Sequence, residues 1–462
     1  MSEPITYHRL KVSQFKLIHI KECKVEAAIN EHTILRLVGI LPQTRKDEDI
    51  HAKYLTPIEV YADLEEKKKV LFNGIITHIR VKTMADYYVL EIEAKSYTYL
   101  MDIKKRNRSF QDKGYSVHDL VQEVTKQYPK GESILEIPKE PVDRLWVQYE
   151  ETDWEFIKRI ASYYLVGLFP HVTLEGTRYF VNTPVVKNKE ITFFEYEVTK
   201  DLGHYDHFVQ NETKSMYETD FIIYEIKSYE ALELGDNISM MGHTFSVSEL
   251  AYEMKKGILE NTYKLQLKAG QKKPRLYHEK IKGVSLDGTV IDVTGDKIKV
   301  GLDIDGKQDK AKAYWFTYST VAASPDGSGW YFMPELKDRV RVYFPTNDEK
   351  DAFAISCIQQ IKGNPDVKYI ATIYDKKLVF TPDAITITAN NVATIVLEKS
   401  GGISVSGSNI SVNASETITM RAENDLIISG KEQVEISCDK GGKVLLTEGG
   451  DIMLNGTKIR IN

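Results

Sequence analysis

The C-terminal part of the chain repeats a pair of apolar residues, separated by one polar residue, about every eight positions. In the stretch ISVNASETITMRAENDLIISGKEQVEIS (residues 410–437), four such pairs follow one another at steps of eight residues. Residues i and i+2 of a β-strand lie on one face, so each pair predicts a short strand with one apolar face. The Ser, Asn, Gly and charged residues between the pairs are typical of turns. The pattern predicts a solenoid of short β-strands. The pairs are Leu378/Phe380, Ile385/Ile387, Ile395/Leu397, Ile403/Val405, Ile410/Val412, Ile418/Met420, Leu426/Ile428, Val434/Ile436, Val444/Leu446, Ile452/Leu454 and Ile459/Ile461.

Two apolar residues in eight are few for a coil whose core must come from one chain. Three chains wound around one another would share these residues in one axial core and would supply hydrogen bonds to each other's strand edges. The pattern therefore favours an intertwined trimeric β-helix, called the needle below. A β-helix closed by a single chain and a β-sandwich with longer strands are the alternatives. The residues predicted for the trimer core of the needle are Ile385, Ile387, Ile403, Val405, Ile410, Val412, Ile418, Met420, Leu426, Ile428, Val434 and Ile436.

A small β-barrel is predicted directly before the needle, in residues 276–362. Residues 288–306 contain two strands around a turn at Thr294-Gly295-Asp296, and residues 337–345 (KDRVRVYFP) alternate apolar and polar side chains. Short strands at this density are typical of an OB-fold barrel.

OB folds often bind single-stranded nucleic acid through aromatic side chains and a basic groove. Residues 277–363 hold 12 Lys and Arg against 13 Asp and Glu, and the whole chain has a formal net charge of −6. Because no basic groove is evident, we expect no nucleic-acid binding and assign the aromatic residues of this region to the barrel core and to contacts between chains. These residues are Trp315, Phe316, Trp330, Tyr331 and Phe332.

The first 275 residues are predicted to be mostly β-structure, interrupted by two helices. Residues 70–101 alternate apolar and polar side chains on both sides of a turn at Met84-Ala85-Asp86. Ser116 and Thr152 are each followed three residues later by an acidic residue, a pattern typical of a helix start. The sequence therefore predicts one helix after Ser116 and another after Thr152.

The acidic residues and histidines of this region make no strong catalytic or metal site. Asp153 and Glu155 are better explained as acidic residues that favour the start of a helix. His204 and His207 lack a third well-spaced ligand and are predicted to lie in a loop. No nucleophile motif, zinc motif or phosphate-binding loop is visible. We therefore expect no enzyme activity, no cofactor and no metal site.

The cysteines and the N-terminus bear on the cellular compartment. Cys23, Cys357 and Cys438 are far apart and odd in number, so a disulfide framework is not expected. Cys438 is predicted to face the inside of the needle. The N-terminus has no apolar run of the length that a signal peptide needs, so we expect the protein to be made and folded in the cytoplasm.

Four segments, in the same order along the chain, resemble the valine–glycine-repeat (VgrG) spike proteins and the related phage tail hub–spike proteins. They are residues 71–101, the segment RNRSFQDKGYSVHDLVQEV (106–124), the segment VQYEETDWEFIKRIASYY (147–164) and the segment GSGWYFMPELKDRVRVYF (327–344). The chain departs from the family in having few literal Val-Gly dipeptides and in carrying AYWFTYSTVAAS (313–324) in place of a tryptophan–alanine–glycine segment.

This resemblance implies a mainly β homotrimer. Each chain would supply a hub of two barrel-like domains with short helices, so that the trimer forms a pseudo-sixfold ring matching a hexameric tail-tube protein. The implied domains are a hub (1–275), an OB-fold domain (276–362), a linker (363–377) and the needle (378–462).

The resemblance also implies a function. The chain would be the puncturing spike and the tube-nucleating baseplate hub of a contractile injection system, which is a phage tail, a tail-like bacteriocin or a type VI-like secretion apparatus. It would contact other baseplate proteins and, transiently, the envelope of the target cell, and the assembled particle would be delivered outward on contraction. A small tip protein of the proline–alanine–alanine–arginine (PAAR) repeat family would cover the end of the needle at Ile459, Ile461 and Asn462. A trimeric β-helical adhesin or receptor-binding fibre is the alternative, and a solenoid enzyme is a third reading.

Overall fold

β-Strands dominate the chain in the computed structural model, which describes residues 4–42, 53–64, 67–85, 87–141 and 144–460. The chain forms two compact units, Met1–Gln360 (unit 1) and Ile361–Asn462 (unit 2). None of the helices among the described residues combines the length and the apolar character that crossing a bilayer requires. The mainly β fold expected from the sequence is confirmed, whereas the finer domain boundaries stay a prediction.

The described part of the first 266 residues of unit 1 contains seventeen strands and three α-helices. The strands are β1 (Leu10–Val12), β2 (His19–Ala28), β3 (Ile34–Leu41), β4 (Pro57–Leu64), β5 (Lys67–Met84), β6 (Tyr87–Ser96), β7 (Lys105–Phe110), β8 (Glu132–Leu135), β9 (Trp146–Thr152), β10 (Leu168–Pro170), β11 (Arg178–Val181), β12 (Asn188–Lys189), β13 (Glu195–Lys200), β14 (Ile222–Ser228), β15 (Asn237–Met240), β16 (His243–Lys255) and β17 (Ile258–Gln266). The helices are α1 (Val117–Thr125), α2 (Asp153–Ser162) and α3 (Leu202–Asn211).

Twelve of these strands form one sheet. Its order is β1-β4-β5-β6-β3-β2-β16-β17-β14-β13, with β15 paired to β16 and β12 paired to β15. The central joint is antiparallel between β2 and β16. Alternate side chains of these strands are buried in one apolar core, which includes Leu35, Val60, Ile92 and Val247. The period-2 pattern that predicted strands in residues 70–101 is confirmed by the hairpin of β5 and β6 as far as Ser96, whereas Tyr97–Asp102 form a 3₁₀-helix. Asp86 of the predicted turn lies outside the described residues.

The two predicted helices are confirmed, together with their caps. The Ser116 side chain accepts a hydrogen bond from the Asp119 backbone N–H at the start of α1. At the start of α2, Thr152 and Glu155 form a reciprocal capping box. The apolar faces of α1 and α2 pack in a second core with strands β9, β10 and β11, so this helical layer is tied to neighbouring short strands.

The third helix corrects the sequence interpretation. His204 and His207 were expected in a loop, but both lie in α3 (Leu202–Asn211). The Asp201 side chain caps this helix by accepting a hydrogen bond from the His204 backbone N–H. Phe208 is fully buried beside Phe221, so packing of a single aromatic residue stabilises a helix whose other residues are mostly exposed.

A five-stranded sheet occupies the end of unit 1. Its strands are β18 (Ser285–Thr294), β19 (Lys297–Leu302), β20 (Trp315–Thr317), β21 (Arg339–Tyr343) and β22 (Phe353–Cys357). They lie in the order β20-β19-β18-β21-β22, with the β18–β19 hairpin turning at the predicted Thr294-Gly295-Asp296. Their inward side chains form a separate core that includes Val300, Phe316 and Val342. The predicted strands of this region are therefore present, and the OB topology stays a prediction.

Unit 2 contains two small antiparallel sheets. One has the order β23-β24-β25-β26-β27 and the other β28-β29-β30. These strands are β23 (Lys368–Ala371), β24 (Lys376–Phe380), β25 (Ala384–Ala389), β26 (Ala393–Glu398), β27 (Ile403–Ser406), β28 (Gln433–Ser437), β29 (Lys443–Thr447) and β30 (Ile452–Asn455). Each strand except β23 carries one of the predicted apolar pairs, so the short-strand prediction holds for these pairs.

Candidate functional site

The apolar residues of unit 2 are exposed in the single chain. The predicted core residues of the needle range from Ile385, 40% exposed, to Ile403, 72% exposed, and Val434 is half-buried. Among the described residues of this unit, Thr388 is buried and no apolar side chain is. A run of exposed Ile, Val and Leu at regular spacing is unusual for a surface that faces solvent, and it indicates an interaction surface.

The backbone of residues 407–432 leads to the same conclusion. This segment carries the pairs Ile410/Val412, Ile418/Met420 and Leu426/Ile428, yet it forms no strand with another part of the described chain. Extended backbone needs hydrogen-bond partners, because each residue carries one donor and one acceptor. The segment therefore has both an apolar face and a backbone edge available for another chain.

The apolar side chains of the first sheet of unit 2 line an open groove. Leu378, Ile387, Ile395, Val405 and Ile410 come from successive repeats and face the same groove. Residues i and i+2 of a strand lie on one face, so both members of each pair lie on the side of the sheet that this groove follows. The apolar residues of successive repeats thus form one continuous apolar strip rather than scattered exposed positions.

The residues predicted to contact a tip protein lie at the end of unit 2. Ile459 is 56% exposed. Ile461 and Asn462 lie outside the described residues, so the predicted contact with a tip protein stays a prediction.

A buried ion cluster joins α2 to the five-stranded sheet at the end of unit 1. The Arg159 guanidinium of α2 donates to Glu151 at 2.8 and 2.9 Å and to Glu349 at 2.7 Å. Glu349 precedes β22 and its side chain is fully buried, as is nearly all of Arg159. Arg144 adds a contact of 2.6 Å to Asp348. A buried charge is tolerated only when it is paired, so these contacts hold α2 and the barrel in one arrangement.

His278 lies at the same cluster and is 1% exposed. Its Nε2 accepts a hydrogen bond from the Tyr149 backbone N–H at 3.3 Å, which places the proton on Nδ1. Burial, followed by the positive charge of Arg159, lowers the pKa of His278 to about 3. Burial also raises the pKa of Glu151, although its bonds to Arg159 oppose this. His278 is therefore a neutral structural residue at the joint.

The segment RNRSFQ supplies a second link between the hub and the barrel. Gln111 donates to the Val300 carbonyl at 3.3 Å and accepts from the Tyr314 backbone N–H at 3.0 Å. The Ser109 backbone N–H and hydroxyl donate to the Asp305 carboxylate. Phe110 stacks on Phe156 of α2. The segment that resembles the family signature thus acts as a structural connector.

Asp153 has a second role besides opening α2. It opens α2 as expected, but its side chain is fully buried and pairs with Arg106 at 3.0 Å and Arg108 at 2.6 Å. Tyr128 donates to its second oxygen at 2.6 Å. The sequence interpretation of Asp153 as a helix-start acid holds, but it did not foresee the pairing with Arg106 and Arg108 of β7. Glu155 does cap the helix as predicted.

The aromatic residues of the barrel divide into two groups. Phe316 is buried in the barrel core and Trp315 is half-buried. Trp330, Tyr331 and Phe332 are exposed by 52%, 74% and 48%, outside that core. The core role expected for the set is therefore confirmed for Phe316, whereas contact with another chain stays a prediction for the exposed three.

The three cysteines are free thiols. Cys23 is buried, which raises its pKa to about 12. Cys357 and Cys438 are exposed in the single chain, so the burial predicted for Cys438 in a trimer stays a prediction. In the part of the chain that the structure describes, no group of three or more His, Cys, Asp or Glu side chains could hold a metal ion.

Comparison with known proteins identifies a family model that matches part of this chain. Residues 29–170 match the model of the phage tail baseplate hub (GPD) family. That stretch runs from the end of β2 through both capped helices to β10. No curated protein sequence matches the chain.

Solved structures share the fold at low sequence identity. The E. coli c3393 protein, a component of the type VI secretion system with structural similarity to the T4 bacteriophage tail proteins gp27 and gp5, aligns with a TM-score of 0.56 and 12% identity over 76% of this chain and 100% of its own. The half-lidded Francisella PdpA–VgrG complex aligns with a TM-score of 0.52 and 10% identity over 84% of this chain and 83% of the other. The lidless PdpA–VgrG complex aligns with a TM-score of 0.52 and 10% identity over 85% of this chain and 94% of the other. The chain therefore has the fold of VgrG-like hub–spike proteins, and its residues 29–170 match the phage tail baseplate hub family, which confirms the resemblance drawn from the sequence.

Proposed function

We propose that the chain is the baseplate hub and spike of a contractile injection system of the phage-tail or type VI kind, and that it works as a homotrimer. The exposed apolar repeat of unit 2 carries this proposal. Three copies of the chain would place the exposed side chains of residues 378–462 in one shared core and pair the backbone of residues 407–432. Both the apolar surface and the open backbone are thereby satisfied by the same partner.

The proposed mechanism is mechanical. In an intertwined needle, each chain hydrogen-bonds to two neighbours, so buckling or withdrawal of one chain requires breaking many backbone bonds together. Contraction of the surrounding machine would drive this stiff element into the target envelope. The proposal assigns the chain no enzyme activity of its own, no cofactor and no metal site.

The other proposed contacts follow the order of the chain. The hub in unit 1 would bind a hexameric tail-tube protein and other baseplate proteins. The barrel of residues 276–362, with an OB topology, would lead into the needle, and a PAAR-like tip protein would cover the exposed end at Ile459. We further propose that the chain is made in the cytoplasm and assembled into the particle before delivery.

The molar mass in solution tests the proposal directly. Size exclusion with light scattering is expected to give about three times 52.8 kDa for the full chain. A chain without residues 361–462 is expected to trimerise less or not at all, because it lacks the shared needle core. A stable full-length monomer would overturn the trimeric spike. A deletion variant that trimerises as well as the full chain would overturn the role given to unit 2.

A further inference from the structure

The twelve-stranded sheet of unit 1 contains the same six-stranded pattern twice. In the first copy, β1 to β6, the pairs are β1 with β4, β4 with β5, β5 with β6, β6 with β3 and β3 with β2. In the second copy, β12 to β17, the pairs are β12 with β15, β15 with β16, β16 with β17, β17 with β14 and β14 with β13. Each strand of one copy therefore has a counterpart at the same place in the other. The one difference is that β12 runs parallel to β15, whereas β1 runs antiparallel to β4.

The register of the two copies agrees as well. The ladder of β5 with β6 shifts between Ile76 and His78, and the ladder of β16 with β17 shifts between Val247 and Glu249. Both irregularities lie at the same distance from the hairpin turn. A β-bulge at equivalent positions is a feature that repeats with the fold rather than a local accident. The residues of the two copies can therefore be matched one to one.

The two copies are joined in the chain by one strand pair. β2, the second strand of the first copy, runs antiparallel to β16, the fifth strand of the second copy. In this joint Val25 lies opposite Tyr252 and Lys24 lies opposite Glu253. Val25 is 1% exposed and Tyr252 is 3% exposed, so the joint is closed. β15 covers only the first residues of β16, which leaves the rest of that edge for β2.

The counterparts of β2 and β16 are β13 in the second copy and β5 in the first, and each has an open edge among the described strands. The second strand of the second copy is β13, which pairs only with β14 among the described strands, and all six of its residues are exposed. The fifth strand of the first copy is β5, whose residues 77–84 extend past the segment that pairs with β4. Val198 of β13 matches Val25 in register but is 48% exposed. The two halves of the same joint are thus both open, one at β13 at the end of the sheet and the other at residues 77–84 of β5 beyond β4.

We propose that β13 of one chain pairs antiparallel with residues 77–84 of β5 in a second copy of the chain. Three such joints would close the pseudo-sixfold hub ring that the resemblance to the hub–spike family implies. The partner is a second copy because the joint it would form already exists in this chain between β2 and β16. A joint between two different edges is heterologous, so repeating it closes a ring when the rotation allows. This proposal rests on the proposed homotrimer and adds the surface that closes its hub.

The register of the joint follows from the match between the copies. Val198 lies opposite Val81 of the neighbouring chain, as Val25 lies opposite Tyr252. Glu197 lies opposite Lys82, as Lys24 lies opposite Glu253. Both pairs therefore combine an acidic with a basic residue: the basic residue is Lys24 of β2 in the existing joint, and Lys82 of β5 in the proposed one. Opposite charges directly across an antiparallel pair stabilise it.

Disulfide cross-linking tests this joint. The variant Val81→Cys with Val198→Cys is made in a full chain in which the exposed cysteines are replaced, as Cys357→Ser and Cys438→Ser. Directly opposite residues of antiparallel strands have Cα atoms about 4.5–5.5 Å apart, within the range that a disulfide spans. Oxidation is expected to give covalent dimers and trimers in non-reducing electrophoresis. The matched control, Val81→Cys with Glu197→Cys, moves one thiol to the other face of the sheet and is expected to remain monomeric in the same gel.

A charge exchange tests the register by a second route. Lys82→Glu, added to the variant with cysteines at positions 81 and 198, places a like charge opposite Glu197. It is expected to slow the formation of covalent dimers and trimers by roughly two- to fivefold at low salt. Adding Glu197→Lys restores opposite charges and is expected to restore the rate.

The mass of the same preparations separates this proposal from the function on which it rests. A trimer by light scattering that does not cross-link more than the control would overturn the β13–β5 joint and leave the trimeric spike standing. A full-length monomer would overturn both.

Discussion

Units 1 and 2 are both built from antiparallel strands with alternating apolar residues, but they finish their cores differently. In unit 1, side chains such as Leu35, Val247 and Val300 are fully buried by other parts of the same chain. In unit 2, Ile403, Val412 and Ile428 have the same chemistry and are more than half exposed. The difference teaches that an apolar pattern specifies which face of a strand must be covered and leaves open how many chains cover it.

The largest effect is expected from polar substitutions in the needle. Ile418→Asn with Met420→Asn would remove six apolar side chains from the shared core of a trimer, a loss on the order of 10 kcal/mol per trimer. The trimer should therefore dissociate at a much lower guanidinium concentration, as measured by light scattering. Thr417→Asn with Thr419→Asn changes the other face of the same segment and should leave the midpoint nearly unchanged. Equal effects of the two variants would show that residues 418 and 420 are not core residues.

Unit 1 should instead be sensitive at its buried charges. Arg159→Met leaves Glu151 and Glu349 buried without their partner and should lower the free energy of unfolding by about 3–5 kcal/mol, as measured by urea denaturation. The matched control is Arg339→Met, which breaks a pair with Asp303 whose side chains are 29% and 51% exposed, and should cost less than about 1 kcal/mol. A small effect of Arg159→Met would mean that the ion cluster does not hold the hub to the barrel.

A smaller effect is expected at the second link between hub and barrel. Asp305→Ala removes the acceptor of the Ser109 backbone N–H and hydroxyl, and should lower the free energy of unfolding by about 1–3 kcal/mol. Hydrogen exchange of the Ser109 amide should accelerate at the same time. Asp303→Ala, two residues away at an exposed ion pair, serves as control and should leave that amide protected. Unchanged exchange in Asp305→Ala would remove this bond from the account of the joint.

The smallest effect is a dependence of stability on pH. Burial lowers the pKa of His278 to about 3 in the folded state, so below about pH 6.5 the unfolded chain binds a proton that the folded chain does not. The free energy of unfolding should therefore fall as the pH falls, by about 1 kcal/mol per unit between pH 6 and pH 5 from this residue.

His278→Gln should flatten that slope, measured by urea denaturation at each pH, while the exposed His207→Gln should preserve it. A slope that survives His278→Gln would assign the proton uptake to another group.

The parts of the fold that the sequence predicted are those governed by neighbours in the chain. The caps at Ser116 and Thr152 were predictable because the capping residue and its acidic partner lie three residues apart. Helix α3 was missed because its stability depends on Phe208 packing against a distant Phe221. The apolar pairs of unit 2 were predictable from their spacing, since a strand shows its faces with a period of two, and their role in a trimer core stays a prediction.

The candidate surfaces divide in the same way. The apolar strip of unit 2 was visible in the sequence, whereas the β13 edge was not, because the two copies of the strand pattern are recognisable only by their pairings. At matched positions of the two copies Lys24 corresponds to Glu197 and Leu35 corresponds to Tyr224, so little of the duplication remains in the residues themselves. Likewise, Arg159 and Glu349 are 190 residues apart, and no local pattern connects them.

The sequence by itself determined where the capped helices α1 and α2 begin, which faces of the predicted strands are apolar, and that residues 378–462 repeat. These features arise from interactions within a few residues, which the order of the chain contains directly. Only the tertiary structure decided which strands pair, which charges are buried together, and which apolar face is left open. Those outcomes depend on contacts between residues far apart in the chain, where burial and backbone pairing, rather than spacing, select the partner.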